Sequence, residues 1–145
     1  MNGLSLTLLK TACIGTFLIG LVAAAASVPA LAGPWNLLLD AVRWPLDGLQ
    51  SAASDEARLL SAIGGGLTCG WAVMLYGLAA GPIARGDADA SRLFVTGVLT
   101  WFTIDSLASA AAGWPGNIAL NLVFAALLLT PFLLGGSAKP DTALA

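Results

Sequence analysis

Four stretches of this chain are each apolar for long enough to cross a bilayer as a helix, and that constrains it most. The first, Thr11–Ala32, carries no charge over about 22 residues, enough to span the hydrocarbon core. The others read as helices over about 57–81, 91–113 and 117–135. Overall the sequence is 58% hydrophobic and 10% charged, against roughly 45–50% and 25% for a soluble domain. A soluble fold of this length has too little polar surface to cover itself, so lipid is the expected solvent. The expected fold is all-α: one integral membrane four-helix bundle, built as two antiparallel transmembrane hairpins.

The first helix has a rival reading. Ala30-Leu31-Ala32 before Gly33, with Lys10 as the positive region, matches a secretory signal and its small-x-small cleavage site. The apolar run is long for a signal, so a retained helix is expected, with cleavage as the alternative.

Between the first two spans, about residues 34–50 are expected to form a short interfacial helix broken at Pro45. Trp35, Leu38, Leu39, Val42, Leu46 and Leu49 fall near one face, with Asp40, Arg43 and Asp47 on the polar side. Tryptophans in such a pattern favour the membrane interface. The expected role is a lid or anchor on the bundle. Ser54-Asp55-Glu56 then supplies a helix start, with acids at the positive end of the helix dipole.

The second span is rich in glycine. Gly66, Gly70, Gly77 and Gly81 lie roughly on one side, a stripe of the kind that lets membrane helices approach closely. No Lys-Ser/Thr follows, so this is no phosphate loop. A matching small-residue face on the first helix comprises Thr16, Gly20 and Ala24.

The third span, Ser91–Gly113, carries Asp105. Acids at such depth are costly, and they face protein or water and mark function. Trp101, Asp105, Ala108, Ser109 and Ala112 share its face by helical spacing. Asp105 lies roughly 12 Å below the turn at Gly113, at 1.5 Å per residue. Asn117 and Asn121, one turn apart at the start of the fourth span, lie at compatible depths, and Arg58 stands at the same end. The expectation is an outward-facing polar pocket of Asp105, Ser109, Asn117, Asn121 and Arg58, with Trp101 as its floor. A structural polar cluster, with Asp105 paired to Arg58, is the alternative. Pro131 is expected to kink or end the fourth helix, and residues 136–145 to form a mobile tail.

Several functions are disfavoured by composition. There is no histidine, which removes the commonest haem and metal ligand and the usual general base. Cys13 and Cys69 stand in separate spans without a CxxC pattern, which argues against thiol-redox chemistry or a zinc site. A net charge of −2 offers no basic face for nucleic acid. No catalytic residue, cofactor or metal is therefore expected.

The expected function is a small non-enzymatic membrane protein. It is either an accessory subunit or a binder of a lipid-like or small apolar molecule around Asp105. A small proton-coupled transporter, with Asp105 carrying the proton, is the alternative. The small multidrug-resistance transporters have similar gross architecture, yet they carry their essential acid in the first helix, where this chain has none. The bilayer is the expected partner, with a homo-oligomer or larger membrane complex left open. Lys10, Arg85, Arg92 and Lys139 against Arg43 and Arg58 favour cytoplasmic termini under the positive-inside rule. Brevity and alanine content point to a bacterial inner membrane.

The segment Glu56-Ala57-Arg58-Leu59-Leu60-Ser61-Ala62-Ile63-Gly64-Gly65-Gly66 resembles the opening of the second helix in small bacterial four-helix membrane proteins of the DoxX-like type. The likeness covers mainly this helix and the helix count. It implies a four-helix bundle and carries over no catalytic residue.

Overall fold

The first helix, α1 (Gly3–Ala25), begins well before the uncharged run. Asn2 caps it, its side-chain oxygen accepting from the Ser5 amide at 2.8 Å. Lys10 therefore lies within the helix, half-buried, rather than at its foot. A lysine stem can lie along apolar surface while its ammonium reaches outward, so the charge does not set the boundary. At the other end Pro29 enforces extended backbone on Val28 (φ −97°, ψ 115°), and the helix cannot continue to Ala32. This computed structural model describes residues 1–135; the expected tail lies outside the described residues.

A single 3-10 turn, Pro29–Leu31, leads into the short helix α2 (Gly33–Arg43). This helix stops at Arg43 rather than reaching residue 50. The residue before a proline avoids helical backbone, and Trp44 before Pro45 takes φ 45° and ψ 135°. Leu46 and Leu49, which continue its apolar face in sequence, are consequently exposed off the helix. The following loop folds back onto α2. Asp40 Oδ2 accepts from the Gly48 amide at 3.0 Å, and Asn36 Oδ1 from the Ala52 amide at 2.9 Å. Asp40, which the sequence pattern puts on a polar side, is thereby buried at 5% exposure.

Helix α3 (Asp55–Ala80) is capped by Ser54, whose side chain accepts from the Ala57 amide. After a 3-10 turn at Ile83–Arg85, α4 (Ala88–Ala111) starts at its own cap. Asp87 accepts from the Asp89 and Ala90 amides at 2.9 and 3.0 Å, so the helix begins ahead of Ser91. Helix α5 (Pro115–Gly135) runs through Pro131 without ending. Proline is tolerated within membrane helices where neighbouring groups satisfy the freed backbone. No strand occurs among the described residues. Helices α1, α3, α4 and α5 are each long and apolar enough to cross a membrane.

Helix α1 packs most extensively on α3 and also meets α5, which in turn packs on α4. Leu9 and Cys13 of α1 meet Leu75, Phe94, Val98 and Leu128 in the main core. At the end holding the amino terminus, Asn2 Nδ2 donates to the Leu134 carbonyl at 3.3 Å. Between the long helices, a close backbone contact joins α1 and α3. A Cβ added to Gly65 would lie 2.3 Å from the Ala24 nitrogen, and one on Gly20 would lie 2.8 Å from Cys69 Sγ. Gly66, Gly70 and Gly77 face open space, and Gly81 meets only the Gly77 carbonyl and Arg85. Among the described residues, then, the expected glycine stripe makes no helix–helix contact within the chain, and Gly65 with Gly20 makes it instead.

Candidate functional site

Asp105, Ser109 and Asn117 form a closed ring of hydrogen bonds where α4 meets α5. Ser109 follows Asp105 by one helical turn, so the two side chains stack on one face. Ser109 Oγ donates to Asp105 Oδ1 at 3.0 Å. Asn117, at the start of α5, donates its Nδ2 to Asp105 Oδ1 at 3.0 Å and to Ser109 Oγ at 2.8 Å. Both bonds to the carboxylate land on Oδ1, and Oδ2 receives none among the described residues. The ring holds the acid in one orientation and leaves one oxygen for something else.

Asn121 lies one turn further along α5 and is 4% exposed. It joins a different residue, donating to Ser106 Oγ at 3.3 Å. Ser106 does not stand out in the sequence. The only signal for it is its position beside Asp105, turned by one helical step toward α5. Trp101 stacks on Trp71 of α3, with ring centroids 5.4 Å apart and planes at 41°.

Arg58 is not part of this cluster. Its guanidinium pairs with Asp55 and donates to the Ala53 carbonyl, closing off its own helix start. An acid one turn earlier on the same helix is a nearer partner than one across the fold. Arg58→Gln and Asp105→Asn should therefore act independently. Their combined effect on thermal stability is expected to be additive within about 0.5 kcal/mol, as for separate sites, and a double-mutant cycle checks this.

Two adjoining cavities open beside Asp105. The larger, about 450 Å³, lies between α2 on one side and α4 and α5 on the other. Leu38, Leu39 and Val42 of α2 face Ala108 and Ala112 of α4 across it. The smaller, about 140 Å³, continues inward past Asp105 to Thr16, Thr68, Trp71 and Trp101. Trp35, Leu38, Asp105, Asn117 and Leu120 line both. The apolar face of α2 thus roofs a space whose polar groups are few and convergent, as small-molecule sites are.

The roof is held at its far end. Arg43 stacks over the Trp114 ring at 5.4 Å and donates to the Gly113 carbonyl. Gly116 lets the backbone of α2 sit directly on α5, for a Cβ there would lie 2.0 Å from the Val42 carbonyl oxygen. Tryptophans 35, 71 and 114 belong to the site, and the sequence pattern marks Trp35 only as an interfacial anchor. Beyond Trp101, towards the amino-terminal end, Leu9, Phe94, Val98 and Leu128 fill the interior with no exposed surface. Comparison with known protein families, curated proteins and solved structures returns no match to this chain.

Proposed function

We propose that this chain is a non-enzymatic four-helix membrane bundle that binds a lipid-like or small apolar molecule beneath α2. In this reading the long helices form two antiparallel hairpins, with both termini cytoplasmic. The cavity roofed by α2, with Asp105 held at its inner edge, is the observation that carries the proposal. The molecule's apolar part lies between Leu38, Leu39, Val42 and Ala112, and its polar end meets Asp105 Oδ2.

The filled interior beyond Trp101 supports binding over proton-coupled transport, because a carrier needs a second route past Leu9, Phe94 and Leu128. The roofed cavity likewise favours a binder over a purely structural subunit. Native mass spectrometry of protein extracted in a mild uncharged detergent tests the proposal. Wild type is expected to retain one stoichiometric molecule, and Ala108→Trp, which fills the larger cavity, is expected to lose it. Equal retention by both proteins would place any bound molecule elsewhere and defeat the reading.

A further inference from the structure

The cavities hold an unusual pairing of groups. Four of the five tryptophans in the chain line them: Trp35 and Trp114 around the larger, Trp35, Trp71 and Trp101 around the smaller. Among the described residues, Asp105 is the one acid in either lining, and neither lining includes a lysine or arginine. Two arginines of the described residues that stand towards this end of the fold are engaged elsewhere, Arg58 with Asp55 and Arg43 with Trp114 and the Gly113 carbonyl.

An acid within a membrane span ordinarily has a partner, because a lone charge in low dielectric is costly. Among the described residues Asp105 has two neutral donors and no cation. Indole faces attract cations through the ring quadrupole, and Trp is the strongest of the side chains in this respect. A carboxylate set among indole rings is complementary to a positive organic headgroup. It offers far less to an anion, which Asp105 would repel, and less to a neutral molecule, which gains little from the rings' charge distribution.

Resting on the pocket reading above, we infer that the ligand is an organic cation with an apolar tail, an alkylammonium. Its ammonium occupies the smaller cavity between Asp105 Oδ2 and the Trp71–Trp101 pair. Its tail lies in the larger cavity beneath Leu38, Leu39 and Val42. The volumes are ordered accordingly: about 140 Å³ suits a compact headgroup, and about 450 Å³ a medium-length chain. The aliphatic polar side chains lining the larger cavity are Asp105, Ser109 and Asn117, so it offers no headgroup site apart from their ring.

Calorimetric titration of full-length protein in dodecyl maltoside tests the inference, with three amphiphiles of equal chain length as probes. These are octyltrimethylammonium, octanol and octyl sulfate. Wild type is expected to bind the cation at least about tenfold more tightly than octanol, equivalent to about 1.4 kcal/mol, and octyl sulfate least tightly. Asp105→Asn is expected to bring the cation within about twofold of octanol by weakening the cation far more than the alcohol, the size of effect expected for removing a buried charge partner.

Trp71→Leu, outside the Asp105 hydrogen-bond ring, provides a second route should Asp105→Asn fold poorly. It is expected to weaken cation binding by about tenfold and octanol binding much less. Equal affinity for cation and octanol in wild type, or a preference surviving both substitutions, would overturn the cation assignment. The pocket reading fails separately: octanol binding unchanged in Ala108→Trp, or no probe bound at all, would remove it and the cation inference with it.

Discussion

Gly65→Ala is expected to destabilise the protein by about 2 kcal/mol, while Gly66→Ala, one residue on, leaves it unchanged or slightly more stable. At Gly65 a new methyl would meet the backbone of α1, at the Ala24 nitrogen and the Gly20 carbonyl. Neither atom can rotate away, so α1 and α3 must separate, and overpacking of this kind costs about 1–3 kcal/mol. In lipid the cost is felt fully, since helices there associate by close packing rather than by exclusion of water. At Gly66 the same methyl points into open space, and alanine gains up to about 1 kcal/mol of helix propensity. Thermal unfolding of both variants in one detergent reads the difference as a lowered Tm for Gly65→Ala and an unchanged or raised Tm for Gly66→Ala. A loss of stability in both would mean that Gly66 also sits at a close contact.

The second large effect is expected at Gly116. A Cβ there would collide with the Val42 carbonyl group, so Gly116→Ala lifts the end of α2 from α5. Because α2 forms one wall of the larger cavity, affinity for the proposed ligand should fall by about tenfold or more, on the rule that small displacements at a built site are costly. Arg43→Gln removes the stacking on Trp114 and the bond to the Gly113 carbonyl without any collision. It should weaken binding in the same direction but less. Retention of the bound molecule by native mass spectrometry ranks the three proteins, and the expected order is wild type, Arg43→Gln, Gly116→Ala.

Much of this arrangement is legible in the residues. Four apolar runs mark the four long helices, because membrane-spanning length and low charge leave few other solutions. The spacing of Asp105, Ala108, Ser109 and Ala112 puts them on one face by helical geometry alone. Trp35, Leu38, Leu39 and Val42 share the face of α2 that covers them.

Other features depend on which element meets which, and periodicity carries no such information. The triple glycine at residues 64–66 gives three candidates for a close contact. The four-residue spacing from Gly66 to Gly70 selects one that faces away, and only the position of Gly20 on α1 singles out Gly65. Arg58 looks available to Asp105 at a compatible depth, yet the acid on its own helix is nearer. The start of α1 lies ahead of Lys10 because a lysine stem fits along a helix side. A boundary drawn at the first charge therefore comes too late. Asp40 looks solvated by pattern, and the return of the loop at Gly48 buries it.

The central claim is that the space between α2, α4 and α5 is built to hold a molecule. A crystal structure grown from a lipidic mesophase, using gently extracted protein, tests that most directly. The account predicts non-protein density bounded by Trp35, Leu38 and Trp114, with its polar end against Asp105 Oδ2. It is contradicted if α2 instead lies collapsed on α4, with Leu38 and Val42 packed against Ala108 and Ala112 and no space between them.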